Sequence, residues 1–315
     1  MFDSAVMLTL LSKTLEMSAP ILLAAMAGAI CRQAGIVNIG LEGMMLAGAF
    51  GGVLFSYLAH SAAVGILGAV LCALVLGAIF ALFVLTLRGN EIVSGLGLNL
   101  LAVGLAGYIL PVLFNVQGAF SPLGLQGLPH LNIPIIEDIP VLGTLLSGYD
   151  PVVYASWLAV PLTWFFLYRT VPGTHLRAAG EAEEAAVSAG IDARRLKWLA
   201  VLLGAMLCAL AGAQLSLSQV TLFNKQMTAG RGFIALAAFY FGEARPLPTA
   251  IAALVFGFFE ALQFRLQAER GISPQLIQML PYLAVVIALV AVAVRKRLRL
   301  NAKARVAQVA AGQEA

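Results

Sequence analysis

Three short stretches set polar or charged side chains among glycines inside otherwise apolar sequence. The first is Gly35-Ile-Val-Asn38-Ile-Gly40-Leu-Glu42-Gly43. Asn38 can accept from the free amides at a helix start, and Glu42 in a first turn suits the positive end of the helix dipole. This reads as a well-capped helix start; it also fits a broken-helix element beside a solute path or a helix interface. The second is Arg88-Gly-Asn90-Glu91-Ile-Val-Ser94-Gly95-Leu-Gly-Leu-Asn99, where Asn and Glu again open an apolar run. Ser94 and Asn99 fit interhelix hydrogen bonds or contacts with a ligand. The third is Glu184-Ala185-Ala186-Val-Ser-Ala-Gly190, a small-residue helix pattern ending in a glycine able to take a left-handed cap. It reads as an element that docks into a groove on another protein, against a solvated linker as the alternative.

Other chemistries lack their residues. The sequence contains no GxxxxGK[ST], no HExxH and no GxSxG, and His60, His130 and His175 are isolated. Serines occur in the apolar runs, but without a His or Lys partner at the same depth, so an intramembrane hydrolase is weakly supported. Cys31, Cys72 and Cys208 each lie in apolar sequence without CxxC spacing and read as small buried hydrophobes.

The elements that position these stretches follow from composition. Of 315 residues, 61% are hydrophobic and 11% charged, against about 25% charged in ordinary soluble domains; the mean hydropathy is +0.94. A soluble globule of this size cannot hide so much apolar surface, so the fold class is an all-α polytopic membrane protein. The pI is about 9.1, but the basic residues sit between apolar runs rather than on one soluble face, which excludes nucleic acid as the partner. Asp3 precedes the first apolar stretch and no basic n-region does, unlike a signal peptide.

A span needs about 20 apolar residues. The runs 17–31, 92–115, 151–168, 198–223, 246–264 and 271–294, with two spans and a turn near Tyr57–Ser61 between 43 and 87, give eight spans within a range of 8–10. Gly232 to Gly242 is too short to cross alone and reads as a half-span or a tilted helix whose polar ends are sheltered by protein. With the C-terminus inside, alternation puts 14 of the 19 Lys and Arg on the inner side, and the N-terminus outside. Residues 1–294 then form one membrane domain, and 295–315 a basic cytoplasmic tail. Segment 115–150, with four prolines, reads as packed structure on the outer surface; 170–197 is the longest inner connection, with Gly180 and Gly190 bracketing a short helix and Asp192 capping the next.

At these stretches the chain resembles permease subunits of ATP-binding-cassette importers. It is similar to the branched-chain amino acid/ribose-type permease superfamily, and within it to the nucleoside and simple-sugar permeases. The resemblance is carried by GIVNIGLEGMMLAGAFGG, GNEIVSGLGLNLLAVGL, RAAGEAEEAAVSAGID and GRGFIALA, and covers roughly residues 15–295. It implies a non-catalytic subunit of the bacterial inner membrane with no cofactor of its own, ATP and magnesium being used by a partner ATPase. It also implies a second, related but different permease chain and an extracytoplasmic substrate-binding lipoprotein. The coupling loop would comprise Gly180, Glu181, Glu184, Ala185, Ala186 and Gly190. One departure stands out: Ile-x-Leu-Pro, expected downstream, is replaced by Leu199-Ala200-Val201-Leu202.

A nucleoside is neutral, so its path needs stacking surfaces and hydrogen bonds rather than charge. Asn38, Glu42, Asn99, Gln214, Ser216, Ser218 and Gln219 are the candidates. The competing reading is an ATP-independent secondary carrier, which requires an acidic group at span depth; Glu260, with Arg265 five residues on, is the candidate.

Overall fold

A computed structural model describes residues 4–116, 118–134, 141–267 and 274–287, with 290 and 294. The expected tail, 295–315, lies outside the described residues. In hydrocarbon every backbone amide must be satisfied within the protein, and the long apolar runs meet that demand as helices.

The helices are α1 (Ser4–Gln33), α2 (Leu41–Ala59), α3 (Ala62–Ala81), α4 (Glu91–Phe114), α5 (Leu142–Leu146), α6 (Pro151–Arg169), α7 (Val171–Glu181), α8 (Glu183–Ser188), α9 (Ala193–Gln214), α10 (Arg231–Phe241) and α11 (Pro246–Gln267). The last described helix, α12, is Gln275–Ile287. Both α3 and α9 widen into a π-helical turn at their C-terminal ends, Leu82–Thr86 and Leu215–Gln219. Among the described residues, seven helices are long and apolar enough to cross a membrane; α10 and α12 are shorter.

Local chemistry sets most boundaries. Asn90 caps α4 by accepting from the Ile92 and Val93 amides at 3.0 and 3.1 Å. Asp150 caps α6 in the same way, and Asp192 accepts from Arg195 N. His60 takes the left-handed conformation that turns α2 into α3, within the turn expected at Tyr57–Ser61. The first span is longer than the apolar run 17–31. The helix continues back through Lys13 and Glu16, which pair with each other at 2.7 Å one turn apart.

The helices alternate between two ends. One end gathers α7 and α8 with the α1–α2 link: Gln33 donates to Ala244 O, and Arg194 to Thr86 Oγ1. The far end gathers residues 118–134 and 141–150. There Ser56 donates to Gln126 O, Leu128 N to Leu217 O, and the Tyr149 and Ser12 hydroxyls meet at 2.9 Å. Burial pushes the Tyr149 phenol above its ordinary pKa. α5 lies at this end, and β1 (Ala119–Phe120) pairs antiparallel with β2 (Phe223–Asn224); residues 117 and 135–140 of the segment expected to pack on the outer surface lie outside the described residues.

The core is built on α1, which packs against α9, α10 and α11, and on α2, which packs against α3 and α9. Without a hydrophobic force between helices in lipid, close backbone approach provides the attraction. At the α2–α9 crossing Gly48 meets the Ala209 backbone and Gly212 meets the Met45 carbonyl; a methyl group on Gly212 would overlap that oxygen. α4 lies at the periphery, with Val93, Tyr108 and Val112 exposed as lipid-facing side chains are.

Candidate functional site

The site begins where helices stop short. α1 ends at Gln33, and the chain runs without regular structure to Leu41. On the other side of the molecule α9 ends, and residues 220–230 turn back from β2 to the start of α10. α10 has 11 residues, about 16 Å of helix. That is about half of the roughly 30 Å hydrocarbon thickness, and its C-terminal end meets the α7–α8 end of the molecule, where Ala244 O accepts from Gln33. This is the segment at 232–242 expected to be too short to cross alone.

Glu42 closes that N-terminus. Its Oε1 accepts the Gly230 amide at 2.8 Å, and its Oε2 the Gly232 amide at 2.6 Å. The sequence placed Glu42 at the dipole of its own helix, α2; the structure gives its carboxylate to α10 instead. Gly232 permits this, because a side chain there would strike the Glu42 backbone. Next to it Arg231 Nε meets Glu260 Oε2 at 3.1 Å, with Arg231 also donating to Met227 O. Glu260 is therefore held by Arg231 rather than standing near Arg265, which donates to Val6 O. A paired, buried carboxylate does not offer the free acidic group that the carrier reading requires.

Beside Glu42 lies a cavity of about 630 Å³, within the range of small-molecule sites. Its apolar wall includes Leu46, Leu96, Leu100, Val103 and Phe233; its polar groups are Glu42, Asn99, Lys225, Gln226 and Thr228. Phe233 is 44% exposed, which leaves an aromatic face available for stacking. Asn99 lines the cavity and also holds its floor: Oδ1 accepts Gly43 N at 2.8 Å, and Nδ2 donates to Ile39 O at 3.0 Å.

The remaining candidates for the solute path lie elsewhere. Asn38 is fully buried, and its Oδ1 accepts Gly40 N at 2.9 Å, shaping the turn before α2 rather than capping its first-turn amides. Gln214, Ser218 and Gln219 gather at the π-helical end of α9. Ser218 Oγ donates to Asp150 Oδ2 at 2.7 Å, Gln214 Nε2 lies 3.5 Å from the same oxygen, and Gln219 Nε2 donates to Gln214 Oε1. Ser216 Oγ is buried there without a hydrogen-bond partner among the described residues.

At the opposite end, α7 and α8 form a compact corner. Gly180 and Gly190 stand on either side of the short helix α8; Gly180 lies in the last turn of α7, packed against the backbone of Gln33–Gly35 where a methyl group would not fit. The break falls at Ala182. Gly190 takes φ +81°, the left-handed cap expected of it. Ala186 is buried, whereas Glu181, Glu184 and Ala185 face solvent. Glu184 and Ala185 border a groove of about 1130 Å³ with Arg88, Glu91, Arg194 and Lys197.

Sequence reasoning missed Phe233, Arg231, Thr228 and Asp150. Phe233 and Arg231 flank the glycine of GRGF, at the start of a segment already too short to span, and that brevity was the available signal. Among the described residues no cluster of His, Cys, Asp and Glu could hold a metal ion.

The family model described as "Branched-chain amino acid transport system / permease component" matches residues 10–292. The chain is 33% identical to the guanosine ABC transporter permease protein NupQ of Bacillus subtilis, over 88% of this chain and 89% of that protein. It is 32% identical to the nucleoside ABC transporter permease protein NupC of Lactococcus lactis, over 86% and 88%. The glucose ABC transporter permease protein TsgB13 of Haloferax volcanii is 28% identical, over 87% and 74%. Among solved structures, an ABC transporter of metal-chelate type in an inward-facing conformation aligns with a TM-score of 0.53 at 14% identity, over 92% of this chain and 90% of that one. That likeness concerns the fold, an arrangement of membrane helices. With a family model matching nearly its whole length and full-length relatives above 30% identity, the chain belongs to the branched-chain amino acid transport system / permease component family, the membrane permeases of ABC transporters.

Proposed function

We propose that this permease forms one half of an importer's translocation path for nucleosides, purine nucleosides first. The observation that carries this is the cavity beside Glu42. It joins an open aromatic face, an apolar wall and the uncharged groups of Asn99, Gln226 and Thr228, with the Glu42 carboxylate turned to α10 and Lys225 at the rim, a lining that suits a solute with a planar base and a hydroxylated sugar. The names of NupQ and NupC support the nucleoside; that of TsgB13 supports a simple sugar as the second reading.

In this reading the α7–α8 corner faces the cytoplasm and receives ATPase subunits through Glu181, Glu184, Ala185 and the Gly190 turn. A second, related permease chain and an extracytoplasmic binding protein complete the assembly, the latter delivering solute at the far end. The N-terminus then lies outside, and the enzyme activity belongs to the ATPase.

The test is uptake by the purified complex in proteoliposomes loaded with ATP. Guanosine is expected to enter and to be displaced by other nucleosides, not by glucose; displacement by glucose alone would reverse the choice of substrate. Phe233→Ala should raise the KM for a nucleoside about tenfold, the loss expected when a base loses its stacking partner, and leave glucose competition unchanged. Glu184→Arg should lower ATP-driven uptake about tenfold or more while the chain still inserts and purifies with the second permease. Uptake at the normal rate would remove α8 from the coupling contact.

A further inference from the structure

One face of α4 holds the whole link between α1 and α2. Glu91, Gly95 and Asn99 fall at i, i+4 and i+8, which places them above one another on the helix. Each meets the link in turn. Glu91 Oε2 accepts the Val37 amide at 2.6 Å. Gly95 lies against the Gly40 backbone, so close that a methyl group would sit 2.9 Å from Gly40 N. Asn99 holds Ile39 O and Gly43 N. Before this stretch, Gly35 is pressed against Gly180 of α7. After it comes Glu42, whose carboxylate closes α10 at the cavity. Glu91 also borders the groove whose other wall is α8.

We propose that Glu91 is a positioning residue that couples the α7–α8 corner to the cavity. Its carboxylate fixes the link at Val37, so that movement of the corner relative to α4 is carried along residues 37–42 to the Glu42 cap. The link is irregular backbone between two fixed points, and a charge-assisted bond to its amide is the strongest single attachment available to it. Without that bond, the link can yield at Val37, and displacement at the corner is absorbed before it reaches Glu42. This rests on the permease reading above.

The test uses the complete transporter in proteoliposomes, with Glu91→Gln and Glu91→Asp, together with amide hydrogen exchange of this chain in nanodiscs. Glu91→Gln keeps an acceptor oxygen but not the charge and is expected to lower uptake about fivefold, the difference between a charge-assisted and a neutral bond, while ATP hydrolysis continues, so that solute moved per ATP falls. Exchange at residues 36–43 should rise, and exchange in α11 should not. Glu91→Asp keeps the charge but not the reach and should behave like Glu91→Gln. Recovery of uptake in Glu91→Asp would overturn the role of the bond to Val37. So would uptake and hydrolysis falling in step, or unaltered exchange at 36–43. A wild-type complex that hydrolyses ATP without moving solute would overturn the transport reading instead, and the exchange result would still decide whether Glu91 fixes the link.

Discussion

Glu42→Ala is expected to reduce uptake by roughly a hundredfold or more while the chain still inserts. Two amides at the start of α10 lose a carboxylate acceptor at 2.8 and 2.6 Å. Hydrogen bonds to charged groups contribute about 1.5–3 kcal/mol each, so two of them account for at least two decades in an equilibrium constant. The positive end of α10 is left facing the cavity without its anion. Glu42→Gln, which retains one acceptor oxygen, should fall between the two. Initial rates of uptake, set beside purified yield, measure this. Glu42→Ala transporting at the wild-type rate would show that α10 needs no carboxylate at its start.

The second large effect concerns Arg231 and Glu260. The two side chains are 18% and 9% exposed and meet at 3.1 Å. Removing one partner of such a pair leaves a buried charge without compensation, at a cost of about 3–5 kcal/mol. Arg231→Met and Glu260→Leu should each lower the unfolding midpoint in detergent sharply. The double variant should recover most of the loss, because a well-packed apolar pair of similar volume is often no less stable than the ion pair it replaces. Additive losses in the double variant would mean that the two residues act independently. Glu260→Leu is also the variant on which a secondary carrier driven by that carboxylate would lose all uptake; a folded double variant that still imports solute with ATP excludes that mechanism.

The sequence was most legible where a side chain acts on amides two or three residues away. Asn90 and Asp192 cap the helices they precede, and Gly190 takes the left-handed turn, because each depends on local geometry alone. The long spans were legible for a different reason: hydrocarbon forces apolar runs of that length into helices. Partners distant in sequence were not. Glu42 carries the local signature of a first-turn acid, yet its amides lie 188 and 190 residues away. Gly180 was legible as a boundary before a short helix, but not as the place where a missing side chain lets α7 touch the α1–α2 link. Gln214, Ser218 and Gln219 formed a polar run on an apolar helix, but the residue that gathers them, Asp150, belongs to the start of another helix. The spacing of Glu91, Gly95 and Asn99 was visible throughout, and it marks a helix face that grips backbone rather than side chains.

The crossing of α2 and α9 bears on how the protein is made. Gly48 and Gly212 bring the two backbones together, although more than 130 residues separate Ala59 from Ala193. During synthesis α2 enters the bilayer long before its neighbour leaves the ribosome. Until then the Met45–Ala49 surface faces lipid or the insertion machinery, and α3 and α4 can gather around it without completing the core. Assembly is thus gated by the arrival of α9, and a nascent chain released before that point would expose the seam by which quality-control proteases can distinguish it from the finished subunit.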